Sequence, residues 1–313
     1  QKGKLPLLRP PQKESSGGTM QIDAATRRNL ELTQSLNGGR AGSLLSVIDR
    51  TVTAGGGRLL ERRLSSPSRD LNTIKERLSS VRYLFDNTRS TEDLRASLRK
   101  VPDLDRALSR LSLDRGGPRD IAAIRNGLEQ ADTIRSAGLS DAPDLLTKSL
   151  SALSGHDEII TLLSDALIAE PPLLARDGGF IASGFDPELD ETRALRDEGR
   201  SVIASMQKNY AEMAGINALK IKHNNVLGYF IETTATHAEK MLAPPLNETF
   251  IHRQTTANQV RFTTVELSEI ETKILNAGNH ALEIEKRHYQ TLTRAILTNA
   301  AEISNAARAL AEL

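Results

Sequence analysis

Apolar positions divide the chain into a long helical region, a short alternating block and a second helical region. From residue 23 to about residue 167, short apolar stretches at helical spacing are separated by Gly or Pro. The breaks fall at Gly38–Gly39, Gly55–Gly57, Pro67, Pro102 and Gly116–Pro118. Candidate N-caps such as Ser68 and Asp70 follow some of them. Short helices joined by such loops are typical of a multi-helix bundle, whose simplest function is scaffolding.

Two longer helices are predicted after a Gly- and Pro-rich break at residues 170–187. The first runs from Glu188 to about Ala214, with apolar residues at Leu195, Val202, Met206, Tyr210 and Met213. The second carries a heptad-like seam of Leu267, Ile270, Ile274, Ala277, Ala281, Ile284 and His288. A second line widens this seam: Leu275, Leu282, Tyr289, Leu292 and Ile296. Paired antiparallel, two such helices would form an arm roughly 35–40 Å long.

The block between these helices has the period of β-strands. Leu219, Ile221 and His223 alternate with two lysines, and Asn224–Asn225 offers a turn. The run VLGYFIETT returns, TFIHRQT is a third candidate strand, and polar TTANQ and then RFTT follow. We therefore predict a mainly α protein, in which a multi-helix bundle is joined to a long antiparallel two-helix arm with a small antiparallel β-rich tip. The predicted segments are residues 1–19, 20–204, 205–264 and 265–313.

Composition narrows the possible chemistry. The absence of cysteine excludes disulfides, thiolate catalysis and Cys-based zinc sites, and it fits a reducing cytosol. No apolar run approaches the roughly 20 residues that span a bilayer, so no membrane partner is expected. Aromatic residues make up only 3%, which favours helix bundles and arms over a compact enzyme core.

The alternating block is the most informative surface. The segment between Ile216 and Phe262 contains five Lys or Arg residues, three Glu residues and three of the chain's six histidines. The segment TTANQVR is rich in side chains that bond phosphate oxygens, and no aromatic platform for base stacking is interleaved with it. Contact with a nucleic-acid backbone and an ordinary solvated loop explain these residues equally well.

Motifs of catalytic and nucleotide-binding sites are missing. The chain has no GxxxxGK[ST], GxSxG or HExxH. Gly55–Gly57 followed by Arg58 indicates a helix break and not a phosphate loop. His280, Glu283 and His288 share one helix, but the seam position of His288 favours packing over metal binding. We predict no catalytic residue, no cofactor and no metal.

Six segments resemble those of the MutS mismatch-repair family. They are MQIDAATRRNLEL (20–32), GSLLSVIDRTVTAGGGRLL (42–60), VPDLDRALSRLSLDRGGPRD (101–120), RDGGFIASGFDPELDETRAL (176–195), LKIKHNNVLGYFIE (219–232) and FIHRQTTANQVRFTTVELSEIE (250–271). The resemblance is collinear from about Leu5 to the C-terminus, and several segments exceed ten residues.

The resemblance implies a core (lever) domain with a clamp domain inserted between its long helices. Residues 1–19 would be a linker from the connector domain, residues 20–204 the first part of the core, residues 205–264 the clamp, and residues 265–313 the returning long helix. Clamp tips of a dimer close over double-stranded DNA and contact its backbone without reading sequence. The implied contacts are Arg253, Gln254, Thr255, Thr256, Asn258 and Arg261, followed by Lys222, Asn224, Thr234 and Thr236. Two departures stand out. Ala257 occupies a place where many relatives carry Lys, and Arg62–Arg63 lie near a common Trp.

The resemblance also implies parts that lie outside this chain. The mismatch-reading domain would precede residue 1, and the ATPase, with its ATP and Mg²⁺, would follow Leu313. The fragment would then be non-catalytic, cytoplasmic and nucleoid-associated, and it would link the DNA grip mechanically to the ATPase. The Phe-x-Glu wedge belongs to the first domain, so Phe230-Ile231-Glu232 is interpreted as a coincidence of letters. The alternative function is a structural or dimerising coiled-coil module whose tip binds protein.

Overall fold

A computed structural model describes residues 18–313, which form two compact units. The helical unit comprises the described residues up to Ala182 together with His288–Leu313, and the arm unit comprises Ser183–Arg287. Of the predicted linker, residues 1–17 lie outside the described residues. Residues 18–20 pair with residues 67–69, through bonds such as that from the Met20 amide to the Pro67 carbonyl at 2.8 Å.

Nine helices of the helical unit precede the arm in sequence, and the predicted multi-helix bundle is confirmed. They are α1 (Ala24–Asn29), α2 (Leu44–Ile48), α3 (Ala54–Ser65), α4 (Leu71–Asp86), α5 (Thr88–Leu98), α6 (Leu104–Ser112), α7 (Pro118–Ala137), α8 (Asp144–Ser151) and α9 (Asp157–Ala166). Polar side chains cap several N-termini; Asp70 and Asp103, for example, accept the amides of Thr73 and Arg106. Pro118 begins α7, as its fixed φ and missing N–H favour.

Helix α7 lies at the centre of the helical unit, where it packs against α5, α6 and α9. Ile121, Ile124 and Leu128 are fully buried on it. Arg125 is also buried, and its guanidinium donates to the carbonyls of residues 167, 168 and 169 at 3.3, 3.1 and 3.1 Å. Those carbonyls follow the end of α9, so Arg125 ties this segment to α7 through three hydrogen bonds.

The predicted helix break at Gly55–Gly57 is wrong. All three glycines lie in the first turns of α3, after Thr53, whose hydroxyl accepts the Gly56 amide at 2.9 Å. A Cβ on Gly55 would lie 3.2 Å from the Cβ of Ala311. The glycines therefore let a second helix approach α3 closely, and this packing compensates for their poor intrinsic helix propensity.

Two helices occupy the C-terminal segment that was predicted as one returning helix. Helix α10 (Pro187–Ala214) precedes the sheet, α12 (Val265–Thr298) follows it, and α13 (Ala300–Glu312) follows after an interruption at Asn299. The side-chain carboxamide of Asn299 donates to the Ala295 carbonyl at 2.9 Å, and the backbone N–H of Asn299 is shared between the carbonyls of Ala295 and Ile296. Asn competes for backbone hydrogen bonds in this way, which favours a helix end.

The arm of the arm unit is formed by α10 and the first part of α12, which run antiparallel. Arg193 pairs with buried Glu285 near one end, and Tyr210 bonds Thr264 at 2.7 Å near the other. At about 1.5 Å per residue, α10 alone is about 42 Å long. The compact units divide at 182/183 and 287/288, and α10 lies in the same unit as the sheet. Residues 187–204 of this helix are part of the predicted core segment 20–204.

The heptad seam predicted on α12 is buried or half-buried, although Leu275 of the second line is exposed. On α10 the predicted stripe is correct for Met206 and Tyr210, which are buried, and wrong for its other three residues. Leu195, Val202 and Met213 are exposed. The inward positions of α10 include Thr192, Gly199 and Ile203. A Cβ on Gly199 would lie 2.6 Å from Cγ1 of Ile274, so the two helices approach closely there. Because small and polar residues form this close helix contact, the spacing of apolar residues in the sequence does not show which side of α10 is buried.

A four-stranded antiparallel sheet lies between these helices in sequence, which confirms the predicted β-rich tip. Its strands are β1 (Lys220–Asn224), β2 (Gly228–Thr234), β3 (Ile251–Thr255) and β4 (Gln259–Thr263), in the order β1-β2-β4-β3. Helix α11 (Ala235–Met241), which the sequence pattern missed, covers one face. Its Ala238 and Met241 join Ile231 and Phe262 in one apolar cluster.

The β1–β2 hairpin is attached to α12 through Glu271. The Glu271 carboxylate accepts the amide of Tyr229 at 3.2 Å. Gly228, with φ +69°, precedes it, and a Cβ there would lie 1.7 Å from Oε1 of Glu271. A glycine at this position serves both the left-handed backbone and the close approach of the carboxylate.

Candidate nucleic-acid interface

Four side chains, one from each strand, form a row across the sheet on the face opposite α11. Lys220 pairs with Glu232, Glu232 with Arg261, and Arg261 with Gln254. Directly paired residues of antiparallel strands point to the same face. We call Lys220, Glu232, Arg261 and Gln254 the polar row.

Glu232 is the centre of this surface. Its residue is only 5% exposed, and its carboxylate accepts hydrogen bonds from Lys222 Nζ at 2.5 Å and Arg261 Nε at 3.2 Å. With its amide oriented as a donor, Gln259 faces both carboxylate oxygens at 2.9 and 3.0 Å. Burial acts to raise the pKa of Glu232, but the bonds from Lys222 and Arg261 outweigh it and hold the pKa below its usual value.

Arg261 is held by three neighbours. Besides Glu232, its Nη1 donates to Oε1 of Gln254 at 2.8 Å, and its Cζ lies 4.7 Å from the centroid of the Phe230 ring. Phe230 and Glu232 share a face because they are two residues apart in a strand. Arg261 is therefore a fixed cation, which shares one buried carboxylate with Lys222.

Strand β3 is the accessible edge of the sheet. All five of its residues are exposed, and it pairs only with β4. A β-bulge between His252 and Gln254 leaves Arg253 without a paired residue. Within residues 18–313 no ion pair or hydrogen bond engages the Arg253 guanidinium, so its five donors remain available.

The loop between β3 and β4 is closed by Thr256. Its amide and hydroxyl both donate to the Gln259 carbonyl, at 2.8 and 3.0 Å. Ala257 and Asn258 are exposed in the same loop. A methyl group thus occupies the loop at residue 257, and a cation of the preceding strand is Arg253.

The remaining predicted contacts are less closely grouped. Asn224 closes the β1–β2 hairpin, because its Oδ1 accepts the amides of Val226 and Leu227 at 2.9 and 2.7 Å. Thr255 points to the face that α11 covers, where its hydroxyl bonds His252 at 2.9 Å. Thr234 and Thr236 are exposed at the end of β2 and the start of α11. The structure thus places Lys222, Gln254, Arg261 and Thr234 on one face, and it engages Asn224, Thr255 and Thr256 in local structure.

Three residues of this surface were not predicted from the sequence. Lys220, Glu232 and Gln259 are neighbours of the predicted contact residues in the sheet, but they were not themselves predicted as contacts. Lys220 has the same strand parity as Lys222, so alternation alone signals it. Glu232 is a carboxylate in an otherwise β-branched and aromatic strand, and such a residue indicates a buried ionic partner.

The other candidate chemistry remains dispersed. Gly55–Gly57 have a helical packing role, and His280 Nε2 bonds Glu188 Oε1 at 3.1 Å, as part of the arm. Residues 18–313 contain no group of three or more His, Asp or Glu side chains arranged to hold a metal ion. Among the helices of this part of the chain, none is both long and apolar enough to cross a membrane.

Comparison with known proteins places the chain in a family. A family model described as MutS domain III matches residues 25–313. Over all 313 residues the chain is 70% identical to the DNA mismatch repair protein MutS of Cereibacter sphaeroides (strain ATCC 17025 / ATH 2.4.3) and 65% identical to that of Paracoccus denitrificans (strain Pd 1222). The MutS of Roseobacter denitrificans (strain ATCC 33942 / OCh 114) is 70% identical over 314 aligned positions that include the whole chain. In each case the chain spans 36% of the relative's length. The chain belongs to the MutS domain III family, as the six segments and the helical core with a β tip had indicated.

Proposed function

We propose that the arm unit grips the backbone of double-stranded DNA without reading its sequence. The observation that carries this proposal is strand β3, a fully exposed edge strand on which Arg253 projects from a bulge with its charge unpaired. An unpaired, extended guanidinium binds phosphate oxygens in a bidentate manner. Relatives that share 65–70% identity with the chain are named DNA mismatch repair proteins, which supports DNA as the ligand.

The chemistry of the surface favours backbone contact over base reading. Gln254 and Thr234 offer neutral hydrogen-bonding groups on the same sheet as Arg253, Asn258 offers one in the β3–β4 loop, and all three are exposed. The aromatic ring on this face, Phe230, is buried beneath Arg261 and is not presented for stacking. Neutral donors and one free arginine fit phosphate and sugar groups, which are the same in every sequence.

In the longer proteins the arm would also transmit movement. We propose that it links the DNA grip to an ATPase outside this chain, that ATP and Mg²⁺ bind there, and that a second copy supplies the opposing clamp. The chain itself would bind no cofactor and catalyse no reaction, and it would act in the cytoplasm at the nucleoid. Membership of the family supports each of these proposals.

A salt titration of duplex binding tests the grip. Fluorescence anisotropy with two labelled duplexes of unrelated sequence is measured between about 50 and about 200 mM salt. We expect equal, weak affinity for both duplexes, and an affinity that falls steeply with salt. Arg253→Ala should weaken binding to both equally and reduce the magnitude of the salt slope by about 0.9, the share of one phosphate.

Lys240→Ala is the matched control, because Lys240 lies on α11 and donates to the Ala214 carbonyl at 2.6 Å. It removes the same charge from the same unit without touching β3. A control that loses as much slope as Arg253→Ala would contradict the proposed location. No binding at low salt would favour the alternative, a tip that binds protein. Val226, 89% exposed at the β1–β2 turn, is the observation in favour of that alternative.

A further inference from the structure

We propose that Glu232 is a positioning residue for phosphate binding, which acts through Arg261 to hold the Gln254 carboxamide with its N–H donors outward. This inference rests on the proposed function. It assigns separate roles to residues that the sequence ranked together as DNA contacts, and it gives a role to one residue that was not among them.

The first step is the anchoring of Arg261. The Arg261 Nε donates to Glu232, and its guanidinium lies over the Phe230 ring. These two contacts fix the position of the guanidinium. Glu232 is itself fixed, because Lys222 also donates to it, Gln259 does so with its amide oriented as a donor, and it is almost fully buried. A buried carboxylate with three donors has little freedom to change rotamer.

The second step is the orientation of Gln254. Arg261 Nη1 donates to Oε1 of Gln254 at 2.8 Å, and a guanidinium can only donate. The carboxamide oxygen must therefore face Arg261, and the NH₂ group points away from it. Within the described residues this NH₂ group has no hydrogen-bond partner, and Gln254 lies on the exposed edge strand beside Arg253.

The consequence is a preorganised neutral donor next to a free cation. Phosphate oxygens accept hydrogen bonds, so a carboxamide that turned its oxygen outward would repel them. Fixing the amide before binding removes the ordering cost of a flexible side chain on association. Glu232 thus favours an anionic ligand even though it carries a negative charge, because it acts through the side chains it orients.

This reasoning makes a prediction opposite in sign to that of net charge. Glu232→Gln removes one negative charge from this face of the sheet, so Coulomb attraction alone would make the variant bind DNA more tightly. If Glu232 positions Arg261 and Gln254, the variant should bind about three- to tenfold more weakly, the range that corresponds to reordering about one long side chain. Gln254→Ala should weaken binding by a similar factor.

The test is a double-mutant cycle by fluorescence anisotropy with the 313-residue chain and a labelled duplex at about 50 mM salt. We expect Glu232→Gln with Gln254→Ala to bind no more weakly than Gln254→Ala alone. Glu239→Gln is the matched control: it makes the same charge change at an exposed residue on α11, and its affinity should be unchanged or slightly higher. Arg261→Lys keeps the charge but cannot bridge Glu232 and Gln254, so it should reproduce the loss if Glu232→Gln fails to fold.

The outcomes separate this inference from the proposed function. If the unmodified chain does not bind DNA at low salt, the proposed grip is overturned and the inference with it. If the chain binds but Glu232→Gln binds equally well or more tightly, Glu232 has no positioning role. Losses that add in the double variant would also overturn the relay, because they would show that Glu232 and Gln254 act independently.

Discussion

Tyr210→Phe provides a sharp test of the packing where the arm meets the sheet. The hydroxyl of Tyr210 is buried, lies 2.7 Å from Oγ1 of Thr264 and donates to Oε2 of Glu266 at 3.1 Å. The ring packs edge-on against Phe250 at a centroid distance of 5.6 Å. Phenylalanine keeps the ring and removes only the hydroxyl, while Thr264 retains its bond from the Leu267 amide. The change therefore isolates two hydrogen bonds.

At neutral pH these bonds should make the unmodified protein more stable than the variant by about 2 kcal/mol, at about 1 kcal/mol each. Burial raises the pKa of Tyr210 from 10.0 to about 12, with the bond from Thr264 opposing and the one to Glu266 adding to it. A group whose pKa is raised by folding contributes stability that is complete below its unfolded value and is lost as the pH rises through its folded value. Two pKa units correspond to about 2.7 kcal/mol. The advantage of the unmodified protein should thus decline from about pH 10 and be nearly gone at about pH 12.

Two measurements check this expectation. Urea unfolding of both proteins, followed by circular dichroism, gives the stability difference at about pH 8, 10 and 12. Tyrosinate absorbance should show a step at about pH 12 whose amplitude falls by one tyrosine in the variant. A stability difference that stays constant from pH 8 to pH 12, or an absorbance step at about pH 12 that is equal in the two proteins, would refute the reasoning.

Three further predictions concern residues with defined partners. Acidification should reduce the stability difference between the unmodified protein and Glu232→Gln. The pKa of Glu232 is depressed below 4.5, so the stability that this carboxylate contributes is lost as the pH falls through the depressed pKa. Urea unfolding from about pH 5 to about pH 3 measures the difference, and a difference that stays constant would count against this expectation. Arg125→Met should destabilise the protein by about 3 kcal/mol or more, since it leaves three carbonyls without their donor; a loss below about 1 kcal/mol in urea unfolding would show that water replaces the guanidinium. Asn224→Ala should cost about 1 kcal/mol by releasing two turn amides, with Asn225→Ala as the control; equal losses in thermal unfolding would remove the special role of Asn224.

Much of the architecture could be predicted from the sequence because periodicity reports burial directly. The change from helical to alternating spacing at Leu219 located β1, and the heptad steps from Leu267 to Ile284 match the buried side of α12. These signals are strong where large apolar residues carry the contact. They fail on α10, where Gly199 lies at the helix contact and Leu195 is exposed.

The candidate site was less accessible to sequence reasoning. Residue type identified Arg253, Gln254 and Arg261 as possible phosphate ligands, but type does not reveal that one arginine is free and the other is bound to a buried carboxylate. That distinction depends on the strand order β1-β2-β4-β3, which places Glu232 between Lys220 and Arg261. Strand order is set by long-range pairing, and no local pattern reports it.

The contact between Gly228 and Glu271 has a consequence for how the family's sequences vary. A side chain at residue 228 would displace the Glu271 carboxylate and leave the Tyr229 amide without its acceptor, so the two positions are constrained as a pair. Sequences that lose the glycine have no structural reason to keep the carboxylate, whereas the left-handed backbone still favours glycine where the carboxylate is lost. Covariation between residues 228 and 271, which lie 43 positions apart in the chain, would therefore be evidence from the family's sequences that the β1–β2 hairpin contacts α12.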